Sequence, residues 1–273
     1  MAPPVDLIKT GISEEIGYRD SYEDEYAIYR FSDLCFFSAE IYDGHGGKMA
    51  AQVASEMLTP YFIHLLRTRK EEDPISLIEE AYLAVDSYLV EKKVASGTTA
   101  AILYVWEDRF YASNAGDSKI VIGTENGVEV LTRDHKPYFP KEKERIEKMG
   151  GRVITYDIPR VQGILAISRA LGDPYLKPYV IANPRIVEGY LSKENDYAIV
   201  ACDGVWDVLE PEDVIDIARR KKEADEIAQS IVQKSLNLGS MDNITVVVVD
   251  LRDYTDKLER TKMNILRVWE REG

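Results

Sequence analysis

The sequence predicts an α+β protein in which sheets lie sandwiched between helices. Stretches rich in β-branched and aromatic residues occur at 26–29, 34–42, 98–105, 110–115, 119–122, 197–201 and 244–251. Several of these are apolar at nearly every position, as expected of strands covered on both faces. Stretches of helical character occur at 48–69, 75–93, 141–149 and 224–238, the second opening just after Pro74, a residue suited to a first helical turn. Helices follow strands in blocks instead of alternating with them one for one, which favours α+β layering over a parallel doubly wound sheet.

No repeat, low-complexity segment or long Gly/Pro/Ser linker divides the 273 residues, so a single domain is expected over residues 5–252. Residues 253–273 form a charged tail. Its Leu258, Ile265, Leu266 and Trp269, spaced among charges, predict a helix docked on the domain, with a contact for a partner as the alternative.

With 45% hydrophobic residues the chain can fill a core. Its 48 acidic and 34 basic residues give a formal charge of −14, which would repel a nucleic-acid backbone or an anionic lipid surface. Cys35 and Cys202 each sit in an apolar run and read as small buried thiols. No apolar run approaches the length of a membrane span, and the Met1-Ala2-Pro3-Pro4 start is neither a signal peptide nor a myristoylation site. The expectation is a soluble intracellular, cytoplasmic monomer without nucleic-acid or membrane partners.

Three apolar strands end at an aspartate beside glycine, and a fourth begins just after an aspartate. Residues 35–42 run into Asp43-Gly44-His45-Gly46-Gly47, residues 197–202 into Asp203-Gly204, and residues 110–115 into Gly116-Asp117, while Asp242-Asn243 precedes 244–249. A single Asp-Gly is a standard turn dipeptide. Several together at the ends of buried strands are different, because each ionised carboxylate taken from water costs several kcal/mol unless it is paired or binds a metal. Oxygen ligands of this kind suit Mg²⁺ or Mn²⁺, and the glycine after Asp43 lets the Gly44 carbonyl approach as a further ligand.

At these residues the chain resembles the metal-dependent protein phosphatases of the PP2C (PPM) family, over about residues 19–249. The likeness rests on Arg19 with Glu23-Asp24, Asp43-Gly44-His45-Gly46-Gly47, Ser96-Gly97-Thr98-Thr99-Ala100, Asn114-Ala115-Gly116-Asp117-Ser118 and Leu131-Thr132-Arg133-Asp134-His135-Lys136-Pro137. It continues through Leu165-Ala166-Ile167-Ser168-Arg169-Ala170-Leu171-Gly172-Asp173, Ala201-Cys202-Asp203-Gly204-Val205-Trp206-Asp207-Val208 and Ser240-Met241-Asp242-Asn243-Ile244-Thr245. The resemblance implies a central antiparallel β-sandwich flanked by α-helices on both sides, two Mg²⁺ or Mn²⁺ ions, and phosphoserine and phosphothreonine proteins as substrates. It assigns Asp43 as the bridging carboxylate, Gly44 as the carbonyl ligand, and Asp203 and Asp242 as acids on one metal. Glu23 and Asp24 match acids that bind metal through water, and Asp117 and Asp207 match positions holding a third, weaker ion in some members. Arg19 matches the phosphate-binding arginine, whose planar fork suits two phosphate oxygens, and His45 the general acid. Lys119 and Tyr22 depart from the usual arginine and methionine without removing a ligand.

The expected reaction is direct attack of a metal-bridging hydroxide on phosphorus, with His45 protonating the leaving alkoxide and no phosphoenzyme. Competing chemistries lack their residues. Ile41 and Val208 stand six positions after the two cysteines, where a cysteine-nucleophile phosphatase needs arginine, and Tyr42 stands where a P-loop at Gly47-Lys48 needs glycine. A non-catalytic binding module of the same fold and a two-metal hydrolase of another phosphoester remain as alternatives. His64 and His135 read as structural, and Trp206 as packing beneath the metal loop.

Overall fold

Along each central strand, alternate side chains enter two different cores. In a computed structural model describing residues 2–271, Phe37, Ala39, Ile41, Ala101, Leu103 and Val105 point between two sheets, where they meet Ile120, Ile122, Ala198, Val200, Val247 and Val249 of the facing sheet. The intervening Phe36, Tyr42, Ile102 and Tyr104 pack beneath helices Met49–Thr68 and Pro74–Glu91. On the other sheet, Val121, Ile199, Val246 and Val248 pack beneath helices Pro211–Arg219 and Ala224–Asn237. This period-two division explains strands apolar at every position, since both faces are covered. Each aliphatic side chain so buried contributes roughly 1.5–3 kcal/mol. The predicted α+β class, an antiparallel sandwich between helical layers, is the fold observed.

The five-stranded sheet runs in the order Lys9–Glu15, Ile244–Asp250, Tyr197–Ala201, Lys119–Thr124, Gly127–Val130. The six-stranded sheet runs Asn264–Glu270, Arg185–Tyr190, Arg109–Ala115, Ala100–Trp106, Phe36–Tyr42, Glu25–Phe31. Every neighbouring pair in both is antiparallel. Register brings the functional ends together. Glu25 opposes Tyr42, Ala100 opposes Ala115, and Ala201 opposes Val246, so the segments at 23–24, 43–45, 117, 203 and 242 all emerge at one end of the sandwich. Beside that end, hairpin Val153–Thr155/Pro159–Val161 and helix Pro140–Lys148 share a separate small core of Ile146, Val161, Ile167, Ala170, Leu176 and Val180.

The tail departs from its predicted helix. Residues 264–270 form an edge strand on Arg185–Tyr190, and among the described residues the tail's one helical turn is the end of Arg252–Thr255. The strand's ladder is joined by ion pairs: Arg267 forks onto Asp73 at 2.7 and 2.9 Å and reaches the buried Glu188 at 2.5 Å. Nor does the packing stop at residue 252, because Tyr254 and Leu258 belong to the core between the sheets.

Candidate metal centre and active-site cleft

A cleft of about 620 Å³ at the converging end is lined by Arg19, Glu23, Asp43, Gly44, His45, Asp117, Asp203, Asp207 and Asp242, nine of the ten residues predicted for the site. Asp24, the tenth, lies behind it, buried, where Thr245 Oγ1 donates to its Oδ2 at 2.5 Å.

The loop after Phe36–Tyr42 is held by the Ser96–Thr99 motif. The Asp43 N–H donates to Thr99 Oγ1 at 3.1 Å, and its carbonyl accepts from the Thr99 N–H at 2.8 Å. At Gly44 only glycine fits, because a Cβ would lie 2.3 Å from the Glu23 carbonyl oxygen. Gly204 has the same function beside Asp203, where a Cβ would lie 2.0 Å from the Asn243 carbonyl oxygen. Asn243 joins the loops: its Oδ1 accepts from the Glu23 N–H at 2.9 Å, and its Nδ2 donates to the carbonyls of Ile16 and Ser21. Glu23 in turn accepts from Ser21 Oγ at 3.0 Å and the Gly47 N–H at 3.0 Å.

Carboxylate oxygens of Asp43, Asp117 and Asp203 all lie within 4.8 Å of one another, and a second such group joins Asp24 and Asp43 with the Cys202 sulfur. Burial, and then the neighbouring acids, push Asp43 and Asp203 well above the usual carboxylate range. Burial likewise raises Asp24 to about 6, against the opposing Thr245 hydrogen bond, and raises Asp207. The Cys202 thiol is pushed up too, by desolvation and by Asp24 and Asp43. Seven carboxylates line the cleft (Asp20, Glu23, Asp43, Asp117, Asp203, Asp207, Asp242) against three cationic side chains (Arg19, Lys136, Arg160), so the cleft would repel an anionic ligand unless it also gathered cations. Oxygen donors this close, and this costly to ionise alone, fit hard divalent ions.

Several residues that shape this site have no role predicted from the sequence. Lys136 forms a short ion pair with Asp117, and although burial opposes its charge, Asp117, Asp203 and Asp207 outweigh burial and hold the ammonium above its ordinary range. Asp173 hydrogen-bonds His45 Nε2 at 2.8 Å. Asn243 stands beside a predicted ligand without a predicted role of its own, and its loop-joining contacts are visible only in three dimensions. Arg19 donates to Asp242 Oδ2 at 2.5 Å from the cleft rim. Trp206 donates to the Ala201 carbonyl at 2.8 Å and packs in the core under the five-stranded sheet, and His135 is buried away from the cleft. His64 stacks on Tyr61.

Comparison with known proteins bears on this arrangement. The family model described as Protein phosphatase 2C matches residues 10–244. A rice (Oryza sativa subsp. japonica) protein called Probable protein phosphatase 2C 45 is 37% identical over 245 residues, covering 88% of this chain and 86% of the relative. Among solved structures, a C. elegans sex determining protein superposes with a TM-score of 0.82 at 25% identity, covering 91% of this chain and 66% of the other. The crystal structure of serine-threonine phosphatase 2C from Toxoplasma gondii superposes with a TM-score of 0.79 at 23% identity, covering 92% and 96%, a likeness of fold.

Proposed function

The chain belongs to the protein phosphatase 2C family of metal-dependent serine/threonine protein phosphatases, and from that premise we propose that its cleft hydrolyses phosphoserine and phosphothreonine esters by direct attack of water on phosphorus. The observation that carries this reading is the group of Asp43, Asp117 and Asp203, three carboxylates within 4.8 Å at the floor of a solvent-open cleft.

Asp43, the Gly44 carbonyl, Asp203 and Asp242 would hold two Mg²⁺ or Mn²⁺ ions, with Glu23 and Asp24 behind them and Asp117 and Asp207 available to a third. When bound, such ions lower the pKa of water and offset the charge of a phosphate. Arg19 supplies the phosphate contact. One of its five donors goes to Asp242, and the rest of the planar fork, on a side chain more than half exposed, can meet two phosphate oxygens. His45, at the cleft wall, protonates the leaving group. As the bond from phosphorus to the serine or threonine oxygen breaks, its electron pair goes to that oxygen, which takes the His45 proton. The attacking water oxygen becomes the fourth oxygen of free phosphate. No side chain is phosphorylated, because neither cysteine is placed as a nucleophile: Cys202 is buried behind the carboxylates and Cys35 lies before the opposite end of its strand.

Pure protein with Mn²⁺ should release phosphate from a phosphothreonine peptide. Asp203→Asn should raise the Mn²⁺ concentration for half-maximal activity by at least tenfold and weaken Mn²⁺ binding in calorimetry to a similar degree. An inactive parent protein, or a variant fully active at the parent's metal concentration, would contradict the assignment.

A further inference from the structure

We propose that Asp173 is the positioning residue for His45: its carboxylate fixes the orientation and tautomer of the imidazole, leaving Nδ1 to protonate the departing oxygen. This rests on the phosphatase reading above and adds to it a residue which that reading leaves without a role.

Three short strands build the pair. Gly44–His45 pairs with Gly97–Thr98, which pairs with Leu171–Gly172, and His45 and Gly172 both oppose Gly97. Asp173, next along, reaches back over Gly97 to His45. The space it uses exists because residue 97 has no side chain: a Cβ there would sit 2.0 Å from Asp173 Oδ2. The Asp173 backbone is left-handed, with φ at 51°, a conformation that is strained for most L-residues and that Asp and Asn tolerate best. Contacts on both sides hold it there. Its N–H donates to the Ser96 carbonyl at 3.3 Å, and the Gly172 N–H donates to Asp86 Oδ1 at 2.8 Å, an oxygen also bonded by Lys177.

The carboxylate is buried, with 8% of its side chain exposed, and among the described residues His45 is the side chain that hydrogen-bonds it. Rotating the ring away would strand a buried carboxylate, so the ring is locked. The lock also selects a proton. With Nε2–H donating to Asp173, the transferable proton sits on Nδ1. After transfer the neutral ring keeps Nε2–H on Asp173, so a single tautomer results.

Two readouts test this on the full chain. Histidine-labelled protein has three imidazoles to assign. In long-range ¹H–¹⁵N spectra with Mg²⁺, neutral His45 should be the Nε2–H tautomer alone in the parent and a mixture in Asp173→Asn, whose side chain keeps the left-handed backbone. Kinetics supply the second readout. A phosphothreonine peptide leaves as an alkoxide that needs a proton, whereas 4-nitrophenyl phosphate leaves as a stabilised phenolate that does not. Asp173→Asn should lower the ratio of peptide to aryl kcat at least tenfold, and should not lower it further in a His45→Gln background. Asp173→Gly, which also suits the left-handed backbone, should repeat the result if the asparagine variant folds poorly. An unchanged tautomer in Asp173→Asn, an equal loss on both substrates, or the same fall in ratio without His45 would each overturn the proposal. Failure of the parent on both substrates, with the tautomer shift intact, would instead overturn the phosphatase reading and leave Asp173 holding His45 for other chemistry.

Discussion

Glu40 is a buried carboxyl whose hydrogen-bond partners among the described residues are all hydroxyls, and replacing it by glutamine should make the protein less sensitive to pH. It lies fully buried between the six-stranded sheet and helix Met49–Thr68, accepting from Ser38 Oγ and Tyr42 Oη at 2.6 Å each. Desolvation raises its pKa from 4.5 to about 7, and the hydroxyls of Ser38, Thr59 and Tyr42 only partly offset that rise. The sign follows from proton counting. Between those two values the native state holds a proton that the unfolded chain has released, so stability falls as pH rises. The penalty is nearly absent below the unfolded value and complete above about 7. From pH 5 to pH 8 this one group removes about 2–3 kcal/mol, a large share of an ordinary domain's stability. Glu40→Gln keeps the shape and cannot ionise. Urea unfolding of parent and variant at both pH values, with chelator present so that metal loss plays no part, isolates the group, because Asp24, Asp43 and Asp203 titrate in both proteins. The stability of the variant relative to the parent should rise by about 2–3 kcal/mol between pH 5 and pH 8. A difference that stays flat across that range would refute the argument that Glu40 is held neutral.

Gly44→Ala places a methyl group 2.3 Å from the Glu23 carbonyl oxygen, so the Asp43–Gly44 loop must move away from the Glu23–Asp24 loop. Mn²⁺ affinity measured by calorimetry should fall at least tenfold, and unchanged affinity would count against Gly44 as the close-approach position. Arg267→Ala removes the fork on Asp73 and one of the two arginines on buried Glu188, leaving Arg109 at 3.0 Å. Half-exposure of Arg267 limits the loss to about 1–2 kcal/mol. Melting temperature should drop by a few degrees with phosphatase turnover unchanged, and a drop under about 1 °C would mean the tail strand is held by its backbone ladder alone.

The parts of the fold that could be read from the sequence are those where burial on two faces leaves a continuous apolar run, as in Phe36–Tyr42, Tyr197–Ala201 and Ile244–Asp250. Strands that escaped notice break that signal for a physical reason. Lys9–Glu15 is an edge strand, so five of its seven residues stay polar. Arg185–Tyr190 interrupts its apolar pair with Glu188, a buried charge made tolerable by Arg109 and Arg267 from strands on either side. In the tail, Ile265, Leu266 and Trp269 have helix-like spacing and no alternation, because both faces of the edge strand remain exposed. What decides its conformation is a ladder on Arg185–Tyr190 about eighty residues away, a tertiary preference that outweighs the local one.

The site divides along the same line. The proposed ligand residues leave a local trace, an acid and a glycine at the end of an apolar strand, because one residue type would meet a metal while its neighbour lets the backbone approach. Residues that hold those ligands in place leave none. Asp173 lies 128 positions from His45, and Asn243 lies 220 from Glu23, so neither pairing can be inferred from spacing. Each nonetheless leaves an indirect mark in a glycine of an adjoining segment: Gly97 makes room for the Asp173 carboxylate, and Gly204 for the Asn243 carbonyl. Gly97 stands inside a short strand and Gly204 in a short helix, and each marks a close approach by a distant segment. That distant segment is where a supporting residue for the catalytic group should be sought.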